Sequence, residues 1–333
     1  MITLIHPPNK AIINTYTDIQ NVFINLIKTQ GICIALDWLQ PLKNETELSF
    51  PKPIRFDWIG ENEGEYVLEI SEKQDFSVSY KVKTHTPFYN ITNLKTGQEY
   101  YWRVNGGDFH SFKTKDNNYR FIEADGALNV RDLGGINIKQ GLLFRGSEIN
   151  KEYKLTDIGK AVMNDSLKIK TELDLRKETM AMGESSCIGT NVSYIKLPSR
   201  PYCEIFEEEH RKGIVDIMDF LADENNYPIY FHCLGGADRT GMISLFLRAL
   251  LYETDEDILT DYELTSLSSY AYGLSEGVAD LGFRSRESYY FQEFLSVFNN
   301  YKGTSLSDKT ESFLLECNVK SATIEKIRKI LMK

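Results

Sequence analysis

The run Tyr230-Phe231-His232-Cys233-Leu234-Gly235-Gly236-Ala237-Asp238-Arg239-Thr240-Gly241 constrains this chain more than any other stretch. An apolar segment ends at His232, two glycines follow, and an apolar helical pattern begins after them. The order is therefore buried strand, tight loop, helix. A strand buried on both faces that hands over to a helix belongs in an α/β arrangement with a mostly parallel central sheet flanked by helices. The loop is equally restrictive in its chemistry. Backbone N–H groups of a loop that opens a helix converge on one point, which suits an anion. Gly235 and Gly236 let the loop curl without a Cβ clash. Arg239 offers a planar fork for two oxygens of a phosphate. Cys233 sits at the loop base, where those donors and the helix dipole favour a thiolate. A thiolate beneath a bound phosphate is placed for in-line attack on phosphorus, and the Thr240 hydroxyl can support the sulfur as it leaves. Leu234, Gly235, Gly236, Ala237, Asp238, Arg239 and Thr240 form the candidate phosphate-binding set, and Cys233 and Arg239 the candidate catalytic pair. The bland alternative, a buried cysteine with an accidental arginine nearby, does not explain so many patterned positions directly after a strand.

The rest of the second half fits an α/β reading. Leu155-Thr156-Asp157 starts a helix to about Asn164, Ile169 to Leu175 is a short apolar strand, and Tyr202 to Ala222 reads as mostly helical. Gly241 to Tyr252 and Ser321 to Leu331 carry further helical patterns. The first half reads differently. Thr17-Asp18-Ile19-Gln20 matches a capping box, and Ile19, Val22, Phe23, Leu26 and Ile27 then share one helical face up to Gly31. After Gly31 the pattern turns to strands: 54–58, 66–70, 76–82, 88–94, 100–104 and 109–112, separated by turn residues. Short strands at this spacing predict a β-sandwich. All three tryptophans precede residue 116, and polar Lys115-Asp116-Asn117-Asn118 marks the expected boundary. The expected domains are 1–115, a sandwich with an N-terminal helical extension, and 116–333, an α/β domain. A length of 333 residues accommodates two domains.

Composition narrows the function classes. Net charge is −10, and almost all of it falls after residue 115, which disfavours a nucleic-acid partner. No apolar run approaches the roughly 20 residues of a membrane span, and the first ten residues carry no signal-peptide pattern. The expected compartment is the cytoplasm; removal of a leader would make it extracytoplasmic. Five cysteines at irregular spacing give neither a zinc ribbon nor a disulfide framework. Cys187 and Cys203 could pair, though isolated thiols are commoner. Glu207-Glu208-Glu209-His210 reads as a solvated face, and neither a metal nor another cofactor is expected. Tyr270, Tyr272, Tyr289 and Tyr290 read as packing aromatics. Oligomeric state is not legible.

The loop resembles that of the protein tyrosine phosphatase superfamily, H-C-x-x-G-x-x-R-[S/T], with His232, Cys233, Gly236, Arg239 and Thr240 at the fixed positions. A narrower resemblance is to a bacterial family of tyrosine and lipid phosphatases. Asn129-Val130-Arg131-Asp132-Leu133-Gly134-Gly135 looks like its N-x-R-D-L-G-G start, and Leu143-Phe144-Arg145-Gly146-Ser147 like its next strand. Asp174-Leu175-Arg176 looks like its D-L-R segment, with Glu178 one residue early, and Asp261 to Thr265 matches in kind and order. In the first domain, Leu94, Gly97, Tyr100, Trp102 and Val104 resemble the L-x-x-G-x-x-Y-x-W-x-V end of a fibronectin type III domain, over roughly residues 50–115.

These resemblances imply a metal-independent phosphatase working through a cysteinyl-phosphate, with phosphotyrosine proteins or peptides as substrates and dual specificity toward phosphoserine as a variant of that reading. A phosphoinositide or inositol phosphate substrate is the first alternative; a catalytically silent phosphoprotein-binding module is the second. Ala237 stands where the family usually has lysine, which weakens the case for highly phosphorylated lipids. The second half lacks tryptophan and hence a Trp-Pro-Asp lid. Asp238 and Asp174 compete as general acid, Asp238 being preferred because Asp174 has Arg176 and Arg145 as salt-bridge candidates. Asn129, Arg131 and Asp132 are expected to brace the loop, and His232 to act as a structural donor.

Overall fold

A computed structural model of the chain describes residues 2–43, 46–60, 64–177, 179–180, 183–271 and 285–333. Glu178 and Tyr272, singled out in the sequence, lie outside the described residues. The chain divides into two compact units, Met1–Thr17 with Pro51–Arg120, and Asp18–Phe50 with Phe121–Lys333. The division differs from the sequence expectation in two respects: the helical segment read as an extension of the sandwich falls in the second unit, and the first unit runs to Arg120 rather than to 115.

The first unit contains β1 (Thr3–His6), β2 (Ala11–Ile13), β3 (Ile54–Ile59), β4 (Tyr66–Ser71), β5 (Tyr80–Thr84), β6 (Phe88–Ile91), β7 (Glu99–Val104) and β8 (Phe109–Thr114). They form two sheets, ordered β1-β3-β6 and β2-β8-β7-β4-β5. Alternate residues Ile54, Phe56 and Trp58 of β3 meet Leu68, Ile70, Tyr100, Trp102 and Phe112 of the other sheet in one core. The strand expected over 76–82 begins only at Tyr80. Turn chemistry decides this: Asp75 accepts from the Ser77 amide at 2.9 Å, and Phe76 adopts a left-handed φ of 54°. Tyr100 accepts a hydrogen bond from the Lys95 amide, 2.9 Å away, pinning the turn that leads into β7.

The second unit opens with α1 (Asp18–Gln30) and α2 (Ile32–Leu39). The second helix was not anticipated. Its signal was present, since Ile32, Ala35, Leu36 and Leu39 repeat at helical spacing and are all buried. Gln20 of α1 donates to the carbonyls of Leu48 (2.9 Å) and Phe50 (2.7 Å), and the Leu48 amide donates to Leu267 at 3.0 Å. The sheet comprises β9 (Arg120–Phe121), β10 (Arg131–Asp132), β11 (Leu143–Gly146), β12 (Thr171–Asp174), β13 (Ser193–Lys196) and β14 (Ile229–His232), in the order β13-β12-β14-β11-β10-β9. β13, β12, β14 and β11 run parallel, and β10 is antiparallel to β11. Helices α3 (Asp157–Ala161), α4 (Arg211–Leu221), α5 (Asp238–Leu250), α6 (Asp255–Glu263), α7 (Tyr289–Phe298), α8 (Leu306–Glu316) and α9 (Ser321–Leu331) complete the unit. The helix expected from Tyr202 starts only at Arg211. Before it the chain makes two short 3-10 turns, because Tyr202 takes a left-handed φ of 49° and Phe206 turns into an aromatic cluster with Phe294 and Phe313. Helix α5 is buried along nearly its whole length, which is why its sequence is apolar on all sides. Among the described residues, no helix is long and apolar enough to cross a membrane.

Candidate active site

β14 lies between β12 and β11, and His232 is in register with both Asp174 and Gly146. Three parallel strands therefore end together, and the chain leaves β14 through Cys233 at that edge. The carboxyl ends of parallel strands, where neighbouring connections diverge, are where open α/β sheets place ligands.

The loop from Cys233 to Arg239 is held from outside by its carbonyls. Leu234 O accepts from the Glu148 amide at 2.8 Å. Gly235 O and Gly236 O accept from Asn129 Nδ2 at 3.1 and 3.2 Å, and Gly236 O also from Arg145 Nη2 at 2.8 Å. A trans peptide points its N–H opposite to its C=O. With three successive carbonyls bonded to the scaffold, the amides of Gly235, Gly236 and Ala237 point to the opposite side. Gly236 requires its missing side chain, because φ is +66° and a Cβ would run into the backbone of Gly146. A Cβ at Gly235 would run into the ring of Tyr270. Ala237 is the residue before α5, so the helix N-terminus adds its positive end to the same place.

The Arg239 guanidinium lies close enough to act on Cys233 by its charge, and its Nη1 is buried without a hydrogen-bond partner among the described residues. Cys233 is 1 % exposed. Burial is the largest single effect and raises its pKa, but the charge of Arg239 together with the Thr240 bonds outweighs it. Asp238 works against the thiolate, while the Thr240 hydroxyl and amide support it, so the thiol ends below its ordinary value. Cys187 goes the other way, pushed up to about 12 by burial and the charge of Glu172. A thiol disposed toward the thiolate with a guanidinium charge nearby is the pairing that attack on a tetrahedral oxyanion requires.

Behind the loop stands a buried ionic cluster. Asp261 is 2.6 Å from Arg145 Nη1, 3.3 Å from Arg131 Nε and 3.7 Å from Arg248 Nη2. The three guanidiniums hold the Asp261 carboxyl well below the usual carboxylate range despite burial. Arg131 Nη1 in turn donates to Asn129 Oδ1, fixing the amide that carries the loop. Asp132 accepts from the amides of Gly134 (2.8 Å) and Gly141 (2.6 Å), the turn between β10 and β11. The structure thus brings Asn129 and Arg131 to the loop and sets Asp132 on that turn.

His232 lies within 3.1 Å of Glu172 Oε1 through Nε2 and 3.0 Å of the Cys233 carbonyl through Nδ1. Burial disfavours the imidazolium, but Glu172 and Asp174 outweigh it and raise the His232 pKa. Asp174 is fully buried. It accepts from the Arg176 amide, Nε and Nη2, and from the Tyr194 hydroxyl at 2.6 Å. Burial would raise its pKa, yet Arg176, His232 and Tyr194 bring it below the ordinary value. Asp238 is half-buried at the start of α5 and borders a cleft of about 390 Å³ with Tyr202, Glu204, Tyr290 and Glu293. Tyr290, read as a packing aromatic, stacks on Tyr202 and reaches this cleft. His210 pairs with Glu207 and Glu209 at the surface, and all five cysteines are free.

Sequence reasoning did not single out Glu172, Glu148, Tyr202 or Arg248. A charged residue inside an apolar strand or helix was the available signal: Glu172 and Arg248 both interrupt such runs, and burying a charge there demands a partner.

A family model described as the tyrosine phosphatase family matches residues 122–333. No curated protein matches the chain. Among solved structures it is similar to the core catalytic domain of the PP-IP phosphatase SIW14 from S. cerevisiae, with 17% identity and a TM-score of 0.31, covering 49% of this chain and 91% of that one. A second structure of the Siw14 catalytic core gives 17% identity and a TM-score of 0.32, covering 49% and 90%. OH1 from the Orf virus, a tyrosine phosphatase with triple substrate specificity, is 12% identical with a TM-score of 0.21, covering 55% of this chain and 86% of that one. Likenesses this low bear on neither fold nor substrate. The family model, which spans well over half of the chain and contains the whole cysteine loop, decides the assignment: the chain belongs to the tyrosine phosphatase family and is a cysteine-based, metal-independent phosphatase.

Proposed function

We propose that this protein hydrolyses phosphotyrosine on proteins or peptides, with Cys233 as nucleophile and Asp238 as proton donor. The observation that supports the reading is the pinning of the Leu234, Gly235 and Gly236 carbonyls to the scaffold, which turns the three following amides to the opposite side, where we put the phosphoryl group. A phosphoryl group held by those amides and by Arg239 presents its phosphorus to the Cys233 thiolate. The S–P bond forms as the P–O ester bond breaks, and Asp238 gives its proton to the departing phenolate. Water then attacks the cysteinyl-phosphate, the Asp238 carboxylate takes its proton, and the sulfur leaves as thiolate toward the Thr240 hydroxyl. Asp174 is a poor donor, being committed to Arg176 and Tyr194. We read His232, Asn129 and Arg131 as braces of the loop.

The cleft beside Asp238 favours an aryl ester over a multiply phosphorylated inositol. The Tyr202–Tyr290 stack offers a flat wall, whereas Glu204 and Glu293 repel further phosphates and Ala237 supplies no cation. We read the first unit as a fibronectin type III-like scaffold, supported by its two-sheet core and by the Tyr100 bond to the Lys95 amide. The test is a side-by-side assay of phosphopeptides and phosphoinositides with the parent, Cys233→Ser and Ala237→Lys. The parent should prefer phosphotyrosine peptides, Cys233→Ser should fall to background while still binding phosphate, and Ala237→Lys should gain on inositides selectively. A parent preference for bis- or tris-phosphorylated inositides would overturn the substrate reading. Retention of a tenth of the activity by Cys233→Ser would overturn the mechanism.

A further inference from the structure

We infer that Tyr202 is the positioning residue of Asp238, its hydroxyl fixing the carboxyl that protonates the leaving group, with Tyr262 holding that hydroxyl in turn. The inference rests on the reading of Asp238 as proton donor. Tyr202 donates to Asp238 Oδ1 at 2.6 Å, and the Tyr202 and Tyr262 hydroxyl oxygens are 2.9 Å apart. Both rings are buried. Three features mark the arrangement as built rather than incidental. Tyr202 sits at a φ of 49°, a left-handed conformation that bulky residues rarely adopt and that persists only where the surroundings over-determine it. Its ring is clamped by a stack on Tyr290, with centroids 5.8 Å apart. Tyr262 is fixed from behind by Phe291, 4.4 Å away ring to ring, and lies against Gly241 of α5, where a Cβ would press on its ring.

The chemistry explains why such a clamp is useful. An aspartate on the first turn of a helix can rotate its carboxyl, and a half-buried one has room to do so. A donor must keep its oxygen within about 3 Å of the departing atom to transfer a proton. A hydrogen bond to Oδ1 fixes the carboxyl plane relative to the cleft that both residues border. Burial, with Tyr262 and Asp238 alongside, pushes the Tyr202 phenol far above its ordinary value, so it remains a donor throughout the working pH range. Tyr202 therefore orients without competing for the transferred proton.

Tyr202→Phe removes the hydroxyl and keeps the stacked ring, so it tests the inference cleanly. The substrates are a phosphotyrosine peptide, whose leaving group needs a proton, and nitrophenyl phosphate, whose leaving group does not. Expected is a fall in kcat of about ten-fold or more on the peptide, with less than about two-fold on nitrophenyl phosphate and little change in KM. Combined with Asp238→Asn, Tyr202→Phe should cost nothing more than Asp238→Asn alone, since both act through one group. Tyr262→Phe should show the same selectivity at smaller size, and serves in its place if Tyr202→Phe does not fold. Equal loss on both substrates, or additive losses in the double variant, would overturn the inference while leaving a selective Asp238→Asn, and with it the donor reading, intact. If Asp238→Asn itself shows no leaving-group selectivity, the donor reading falls and the inference with it.

Discussion

Arg145 reaches from β11 to the carbonyl oxygen of Gly236, donating through Nη2 at 2.8 Å, while its Nη1 holds Asp261 at 2.6 Å. One fully buried guanidinium thus joins a loop carbonyl to a carboxylate on α6. The loop is shaped by the interior behind it as much as by its own glycines.

Asp261 is the carboxylate shared by Arg131, Arg145 and Arg248, all fully buried, and Arg248 also pairs with Glu253 at 3.3 Å. Asp261→Asn would take the shared counter-charge away from three neighbouring cations. Removing one partner of a buried ionic group costs about 3–5 kcal/mol. The urea midpoint should fall accordingly, and phosphate affinity with it as Arg145 loses its fixed position. A change in stability below about 0.5 kcal/mol, the size of a surface substitution, would show that the cluster does not support the fold.

The thiols should differ sharply in reactivity. Cys233 is held below its ordinary value, chiefly by Arg239 against its burial, whereas burial pushes Cys317 up to about 11 and Cys187 up to about 12. At pH 6.5 iodoacetamide should modify Cys233 and spare both others, as read by peptide mass mapping, because only the thiolate reacts. Inorganic phosphate should slow the modification by occupying the cradle. Equal labelling of Cys233 and Cys187 at that pH would contradict the electrostatic account.

Glu263 carries a different pH signature. Burial pushes its carboxyl up to about 7, against the Arg286 amide and charge and the Ser285 hydroxyl. Its folded value lies above the unfolded one near 4.3, so the contribution is fully present below about pH 4 and is lost as pH rises through 7. Glu263→Gln keeps the shape and removes the charge. The variant should match the parent in urea unfolding at pH 4.5 and exceed it by about 1–3 kcal/mol at pH 8. A gap that does not widen with pH would refute the assignment.

Glu47 should act on the loop at a distance. It accepts from the Ser268 hydroxyl at 3.1 Å, and from the Ser269 amide and hydroxyl at 2.8 Å each. These residues lead into Tyr270, whose ring closes over Gly235. Glu47→Ala should lower kcat several-fold by loosening that cover, and Gly235→Ala should lower it by about 100-fold by displacing the loop from Tyr270. Unchanged turnover in Gly235→Ala would mean that the contact with Tyr270 plays no part in shaping the site.

The catalytic loop was legible because its information is local. Strand, glycines, arginine and helix follow one another within a dozen positions, and each residue type serves its immediate neighbours. The strands from β3 to β8 were legible for a similar reason, since alternation repeats every two residues. β1, β2 and β13 were not. Turn chemistry at Asp75 and the left-handed Tyr202 shortened two elements whose hydrophobic pattern alone suggested longer ones.

What the sequence by itself determined is the class of chemistry, a cysteine-based phosphatase on an α/β scaffold preceded by a strand-rich segment; the proposed cradle with Cys233 and Arg239 was read from the same local run. Only the tertiary structure decided what holds that chemistry in place. Asn129, Arg145 with Glu148, and Asp261 come from three separate stretches, and nothing in their spacing says that they meet behind one loop. Likewise, α1 and α2 look from the sequence like part of the strand-rich segment, yet the chain leaves the first unit at Thr17 and returns at Pro51. Helical periodicity tells a segment which face to bury, but not against what. That choice depends on the complementary apolar and polar surfaces that long-range folding brings to it.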